Sequence, residues 1–132
     1  MTDQVTSIEQ SKRLIELGVP AEKASMVYVN NADIPSFKAE LASSSIDLKE
    51  LIDDGHEYYP AFTVADLLGL LPPKISWQDP SDGNFRMRRY MGENGIEWVV
   101  DYDRFIANDV SIINALVETI ILLVSTKHEL NI

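Results

Sequence analysis

Between Phe85 and Tyr102, two runs of β-branched, aromatic and long side chains flank Gly92-Glu93-Asn94-Gly95. Asn-Gly between such runs is the strongest short-range signal for a β-hairpin, because the tight turn needs backbone angles that these two residues adopt easily. Two registers satisfy the pattern. A two-residue Asn94-Gly95 loop pairs Met91 with Trp98 and Arg88 with Asp101. A four-residue loop pairs Met91 with Ile96 and Arg89 with Trp98. The registers differ by two residues and side chains alternate with a period of two, so both leave the same residues on the same face. Phe85, Met87, Met91, Ile96, Trp98, Val100 and Tyr102 form the apolar face, with Arg89 its odd member. Arg86, Arg88, Tyr90, Glu97, Val99 and Asp101 are expected to look outward.

The helices are marked by their ends. Thr63 and Asp66 have capping-box spacing, with Asp in place of Glu, and Phe62 and Leu67 stand at the two positions of a hydrophobic staple. Val64, Leu67, Leu68 and Leu71 share one face of the helix that follows, and Pro72-Pro73 ends it. Thr6-Ser7-Ile8-Glu9 reads as a second capping box, with Thr6 as cap, opening a helix that runs to about Leu17. Gly18 is placed to close that helix in the left-handed conformation. A third helix is expected from about Ser111 to Lys127, with Asn108, Asp109 or Ser111 as cap. Its apolar residues cover most of its circumference, as in a helix that is buried centrally or packed against a second chain. Met26–Val29 and Lys74–Trp77 are strand-like. Residues 30 to 59 carry seven acidic side chains against two lysines, keep helical spacing only briefly, and read as a semi-ordered excursion.

The chain of 132 residues suits one domain, 1–132. It contains no Cys, which removes disulfide and thiolate chemistry and fits a reducing compartment. The first residues lack the basic and apolar regions of a signal peptide, and the longest apolar run, Ala115 to Val124, is too short to span a bilayer. A cytoplasmic protein without membrane attachment is expected. The formal net charge of −10 argues against general nucleic-acid binding, which depends on Lys and Arg neutralising phosphates. It suits a basic protein partner, or solubility alone.

Chemistry-bearing patterns are sparse. His56 and His128 lie in different segments and stand in no metal-ligand spacing. Asp53-Asp54-Gly55-His56-Glu57 is the one local cluster of ligand-type residues, but it lacks the alternating oxygens of a calcium loop and reads as an acidic solvated turn. Asp101 and Asp103 fall on one side of a strand about seven ångströms apart, a spacing that suits acid–base or metal chemistry. Arg86 and Arg88 lie opposite, however, and cross-strand salt bridges are the better reading. Arg86, Arg88 and Arg89 beside Tyr90 and Trp98 are the one basic cluster, of a kind that binds a protein partner or a nucleic-acid base. No cofactor or metal site is expected.

Three stretches carry a resemblance: Glu9–Gly18 followed by Ala24-Ser25-Met26, then Pro60–Pro72, then Asn114–Ile121. Together they resemble a family of small uncharacterised proteins of gut Bacteroidales genomes and their prophages and mobile elements. The resemblance implies an accessory protein of a phage or mobile element and carries no catalytic role onto any residue.

The expected fold is α+β: a small antiparallel sheet of three to four strands, including the 85–102 hairpin, with about three helices packed on one face. The expected function is non-enzymatic binding of a protein partner through an acidic surface, with Arg86, Arg88, Tyr90, Glu97 and Asp101 as contact residues. A homodimer through the 111–127 helix is a further expectation. A small metal-dependent hydrolase using Asp101 and Asp103 or the Asp53–Glu57 cluster is the first alternative, and nucleic-acid binding through Arg86, Arg88 and Arg89 the second.

Overall fold

In the computed structural model, which describes residues 5–29, 36–37, 58–76, 82–93 and 95–132, short helices alternate with antiparallel ribbons in an α+β arrangement. The chain forms two compact units, Met1–Asp66 and Leu67–Ile132.

In the first unit, helix α1 (Ile8–Glu16) is followed by a single 3-10 turn (Ala21–Lys23) and three strands. These are β1 (Met26–Val29), β2 (Ser36–Phe37) and β3 (Tyr58–Ala61), paired in the order β2-β1-β3, all antiparallel. Pro60 sits within β3, and among the described strands β3 is an edge, where a residue without an N–H is tolerated. The capping box of α1 is displaced by one residue from the expected Thr6–Glu9. Ser7 is the cap, its hydroxyl accepting from the Gln10 N–H at 3.1 Å while the Gln10 side chain accepts from the Ser7 N–H at 2.9 Å. Thr6 is released for a buried role: Phe62 N–H donates to its hydroxyl at 3.0 Å, and that hydroxyl shares a 2.7 Å hydrogen bond with Ser11. Gly18, at φ +100°, closes the helix as expected, with Val19 N–H on the Leu14 carbonyl and Gly18 N–H on the Ile15 carbonyl. Val5, Met26, Tyr28 and Ala61 form a buried cluster, and α1 packs on β3.

Helix α2 (Val64–Leu70) opens with the expected reciprocal cap. Asp66 N–H donates to the Thr63 hydroxyl at 3.1 Å, and Thr63 N–H donates to the Asp66 carboxylate at 3.0 Å. The same carboxylate accepts from Ser25 through both its N–H (2.7 Å) and its hydroxyl (2.5 Å), so one side chain caps α2 and ties down the approach to β1.

In the second unit, β4 (Lys74–Ser76) pairs with β5 (Asp82–Asn84) as a two-stranded ribbon. Strands β6 (Arg86–Gly92), β7 (Gly95–Asp101) and β8 (Ile106–Asp109) form a three-stranded sheet in that order. The observed hairpin register pairs Met91 with Ile96, Arg89 with Trp98 and Arg86 with Asp101, the second of the two expected registers, with the pairing extended by one step to Gly92 and Gly95. Gly95 takes φ +105°, while Asn94 lies outside the described residues.

The strands are thus distributed over three small sheets, and Met26–Val29 and Lys74–Ser76 each pair away from the hairpin. β8 was not anticipated. A turn through Tyr102–Phe105, with Asp103 at φ +70°, folds it back onto β7. Helix α3 (Ile112–Ser125) packs on β7 and β8; its cap is Ser111, whose hydroxyl accepts from Asn114 N–H at 3.3 Å. Ile113, Leu116, Val117, Ile120 and Leu123 are buried, as their spacing on one face requires. Residues 38–57, including the Asp53–Glu57 cluster and most of the acidic excursion, lie outside the described residues.

Candidate functional site

The three-stranded sheet has two unlike faces. Val100 and Ala107 are buried on the side toward α3. The other side carries Arg86, Arg88 and Tyr90 from β6, Glu97, Val99 and Asp101 from β7, and Ile106 and Asn108 from β8. The register brings all five expected contact residues, Arg86, Arg88, Tyr90, Glu97 and Asp101, onto this outer face. Alternation on paired strands is sufficient to place them there.

They form two hydrogen-bonded groups. In the first, the Arg86 guanidinium spans two carboxylates: Nε donates to Asp101 Oδ1 at 3.0 Å and Nη2 to Asp103 Oδ1 at 2.6 Å. Asp103 N–H also donates to Asp101 Oδ1, at 3.2 Å, which helps hold the turn residue at its positive φ. Arg88 Nη1 lies 4.0 Å from Asp101 Oδ2. In the second group, Glu97 Oε2 accepts from the Tyr90 hydroxyl at 2.6 Å and from Asn108 Nδ2 at 3.3 Å. Gly92 makes room for this: a Cβ there would meet the Glu97 carboxylate at 2.8 Å. The Glu97 hydrogen bond, more than burial, pushes the Tyr90 phenol above its ordinary pKa.

Asp101, expected on the exterior as a contact residue, is only 2% exposed. It sits at the end of the central strand, under Arg86, with the Tyr102–Phe105 turn folding past it. It therefore organises the face from beneath and offers no contact surface. Val99, also expected outward, is buried between the flanking strands. Long polar side chains such as Arg88 commonly shield apolar neighbours in this way.

Two open grooves meet on this face. One, of about 360 Å³, is lined by Arg88, Tyr90, Val99, Ile106 and Asn108. The other, of about 670 Å³, runs from Tyr90, Glu97 and Asn108 to the hairpin tip at Met91, Gly92 and Glu93. Tyr90 and Asn108 border both. Ile106 and Asn108, which belong to the unanticipated β8, are the site residues that sequence reasoning missed. The only signal for them was a four-residue run between turn residues.

Arg89 does not join Arg86 and Arg88. It projects from the opposite face, with its guanidinium 5.0 Å from the Trp98 ring centroid. The basic cluster of the sequence is thus split between two faces. Asp101 and Asp103 share one guanidinium through one oxygen each, and Asp101 Oδ2 is buried without a hydrogen bond. Among the described residues, no three His, Cys, Asp or Glu side chains converge in a metal-ligand group. No helix of the described residues is long and apolar enough to cross a membrane.

Beneath the face, the fully buried Tyr102 donates its hydroxyl to the Pro72 carbonyl at 2.7 Å, and its ring stands 5.6 Å from Phe85. Burial pushes the phenol far above its usual value of 10.0. The unfolded chain therefore releases this proton first. Tyr102's contribution to stability is complete below pH 10 and drains as pH rises toward the folded-state pKa, at about 1.4 kcal/mol per pH unit for one group. Tyr28 acts in the same direction, also through burial. Urea denaturation at stepped alkaline pH should show this fall. Tyr102→Phe should cost about 1 kcal/mol at neutral pH, through the lost hydrogen bond, and make the alkaline fall shallower.

Comparison with protein-family models, curated proteins and solved structures gives no match to the chain.

Proposed function

We propose that the protein acts without catalysis, by binding a protein partner through the outer face of β6–β8. The observation that carries this reading is the adjacency of Arg88 (side chain 58% exposed), Tyr90 (43%) and Ile106 (58%) around one groove. Arg and Tyr are the residue types, with Trp, that dominate interface energetics, and an exposed Ile beside them supplies apolar area at low entropic cost. The hydrogen-bonded network beneath holds the face in one geometry, which lowers the ordering cost of association. The net charge of −10 favours approach of a basic partner. The sequence resemblance supports an accessory role in a phage or mobile element, in the cytoplasm.

A homodimer through α3 is less well supported. Its exposed positions, Asn114, Glu118 and Ser125, are all polar, and its apolar residues are buried or half-buried.

The test is affinity capture from a cell lysate with immobilised protein. The wild type should retain a discrete protein, and Tyr90→Ala and Arg88→Ala should each weaken retention about thirtyfold, as for an interface hot spot. Glu118→Gln, on α3, should leave retention unchanged. Equal retention by all four proteins, or none by the wild type, would refute the reading.

A further inference from the structure

In the Leu67–Ile132 unit, β7 is the one strand paired with β6 among the described residues, so the other side of β6 is a free edge along Arg86–Gly92. The hydrogen-bond phase of the sheet shows what that edge offers. Tyr102 N–H donates to the Phe105 carbonyl at 2.9 Å, so the backbone groups of Tyr102 face the β8 side. Alternation along β7 then turns those of Asp101, Val99 and Glu97 towards β6, where they meet Arg86, Arg88 and Tyr90. The N–H and C=O groups of Met87, Arg89 and Met91 point the other way, off the free edge. Phe85, next in the same phase, gives its N–H to the Pro73 carbonyl at 2.9 Å, so the open stretch begins at Met87.

Edges of this kind are usually blunted by proline, by a bulge or by charged side chains. Residues 86–92 contain no proline, and their pairing with 95–101 runs without a bulge. The long side chains of β6 lean across the sheet, away from its edge. Arg86 reaches Asp101 at 3.0 Å, Tyr90 reaches Glu97 at 2.6 Å, and the Arg89 guanidinium stands 5.0 Å from the Trp98 ring, all three partners lying on β7. Near the hairpin tip, Met91 (74% exposed) and its cross-strand neighbour Ile96 (47%) leave apolar area in water beside the same edge.

We propose that β6 pairs with β6 of a second copy, antiparallel about a two-fold axis at Tyr90, so that two three-stranded sheets become one continuous sheet. Charge and overlap place the axis. At Arg89 it would set two arginines directly opposite each other, which is destabilising, and at Met91 it would pair Tyr90–Gly92 alone. At Tyr90 it sets Arg89 opposite the second copy's Met91, where the free backbone groups of both residues exchange hydrogen bonds, and Arg88 opposite its Gly92. The two Met91 side chains then meet diagonally across the axis and cover each other. Arg88 is diagonal to the second copy's Tyr90, which carries the Glu97 carboxylate on its hydroxyl, and the two-fold makes this attraction twice. Within its own copy Arg88 stands 4.0 Å from Asp101 Oδ2 without a hydrogen bond, the other oxygen of that carboxylate being held by Arg86. Two chains of net charge −10 repel, so the pairing is expected at physiological ionic strength, where exposed charges are screened beyond about 8 Å. Edge pairing leaves the outer face of β6–β8 open and does not depend on what that face binds.

Sedimentation equilibrium of the isolated protein tests the pairing. Between about 10 μM and about 1 mM the mass should rise from 14.8 kDa towards twice that value. Arg89→Pro removes an N–H that points off the edge and that β7 does not use, and it should weaken association roughly tenfold. Arg88→Glu, which sets a like charge beside Glu97 of the second copy, should weaken it about as much. The chain has no Cys, so a single introduced cysteine can form a disulfide only between copies. Position 90 lies on the axis, in a pair without backbone hydrogen bonds whose Cα atoms stand about 4.5 Å apart, within disulfide reach. Tyr90→Cys should therefore oxidise to a dimer about tenfold faster than Ile106→Cys, exposed on the same face but carried by β8. A monomer at every concentration, a dimer that Arg89→Pro and Arg88→Glu leave unchanged, or equal oxidation of the two cysteine variants overturns the proposal, and none of these results bears on capture of a partner by the outer face.

Discussion

Leu116→Ala should destabilise the protein by about 3 kcal/mol, the middle of the range for a fully buried leucine that leaves a cavity. Leu116 lies on the face of α3 that backs the three-stranded sheet, with Ile113 and Ile120 one turn away on either side and Leu123 two turns on. A domain of this size has a total stability of about 5–15 kcal/mol, so the loss is a large share of it. Glu118→Ala, on the exposed side of the same helix, should stay within about 0.5 kcal/mol. Urea denaturation of both variants checks the assignment. A cost below about 1 kcal/mol at Leu116 would mean that α3 does not back the sheet as described.

The second large effect belongs to the outer face. Arg86→Met should cost about 2 kcal/mol, because it leaves the buried Asp101 carboxylate without its closest cation. The figure is set below the 3–5 kcal/mol typical of a fully buried pair, since Arg86 itself is 55% exposed and partly screened by water. Arg88→Met should cost less, because its guanidinium stands 4.0 Å from Asp101 and makes no hydrogen bond to it in that geometry. Asp101→Asn in the Arg86→Met background should recover part of the loss, because it removes the uncompensated charge. A double-mutant cycle on stability measures the coupling directly, and additivity of the two changes would contradict the network.

Much of the fold was legible where local chemistry decides structure. The Thr63–Asp66 cap, the glycine closure at Gly18, the ends of α3 and the two faces of the hairpin follow from side chains within a few residues of one another. What could not be read depended on partners distant in the chain. The α1 cap moved from Thr6 to Ser7 because Thr6 is recruited by the Phe62 N–H, 56 residues away. Strand β3 was hidden by Pro60, which is compatible with a strand only because β3 is an edge among the described strands. Strand β8 is four residues long and exists by virtue of its pairing with β7. Alternation correctly placed Asp101 on the outer face, yet exposure depends on what lies above a residue as well as on where it points. The candidate site was therefore half visible, with β6 and β7 read from the hairpin and the β8 contribution of Ile106 and Asn108 unseen.

The claim that the outer face of β6–β8 is the working surface is tested most directly by site-specific photo-crosslinking in cells. A photoreactive phenylalanine analogue would replace Tyr90, Ile106 or, as the control on α3, Glu118. The account predicts the same discrete protein adduct from positions 90 and 106 and none from 118. Adducts from 118 with none from 90 and 106, or no adduct from any position, would contradict it.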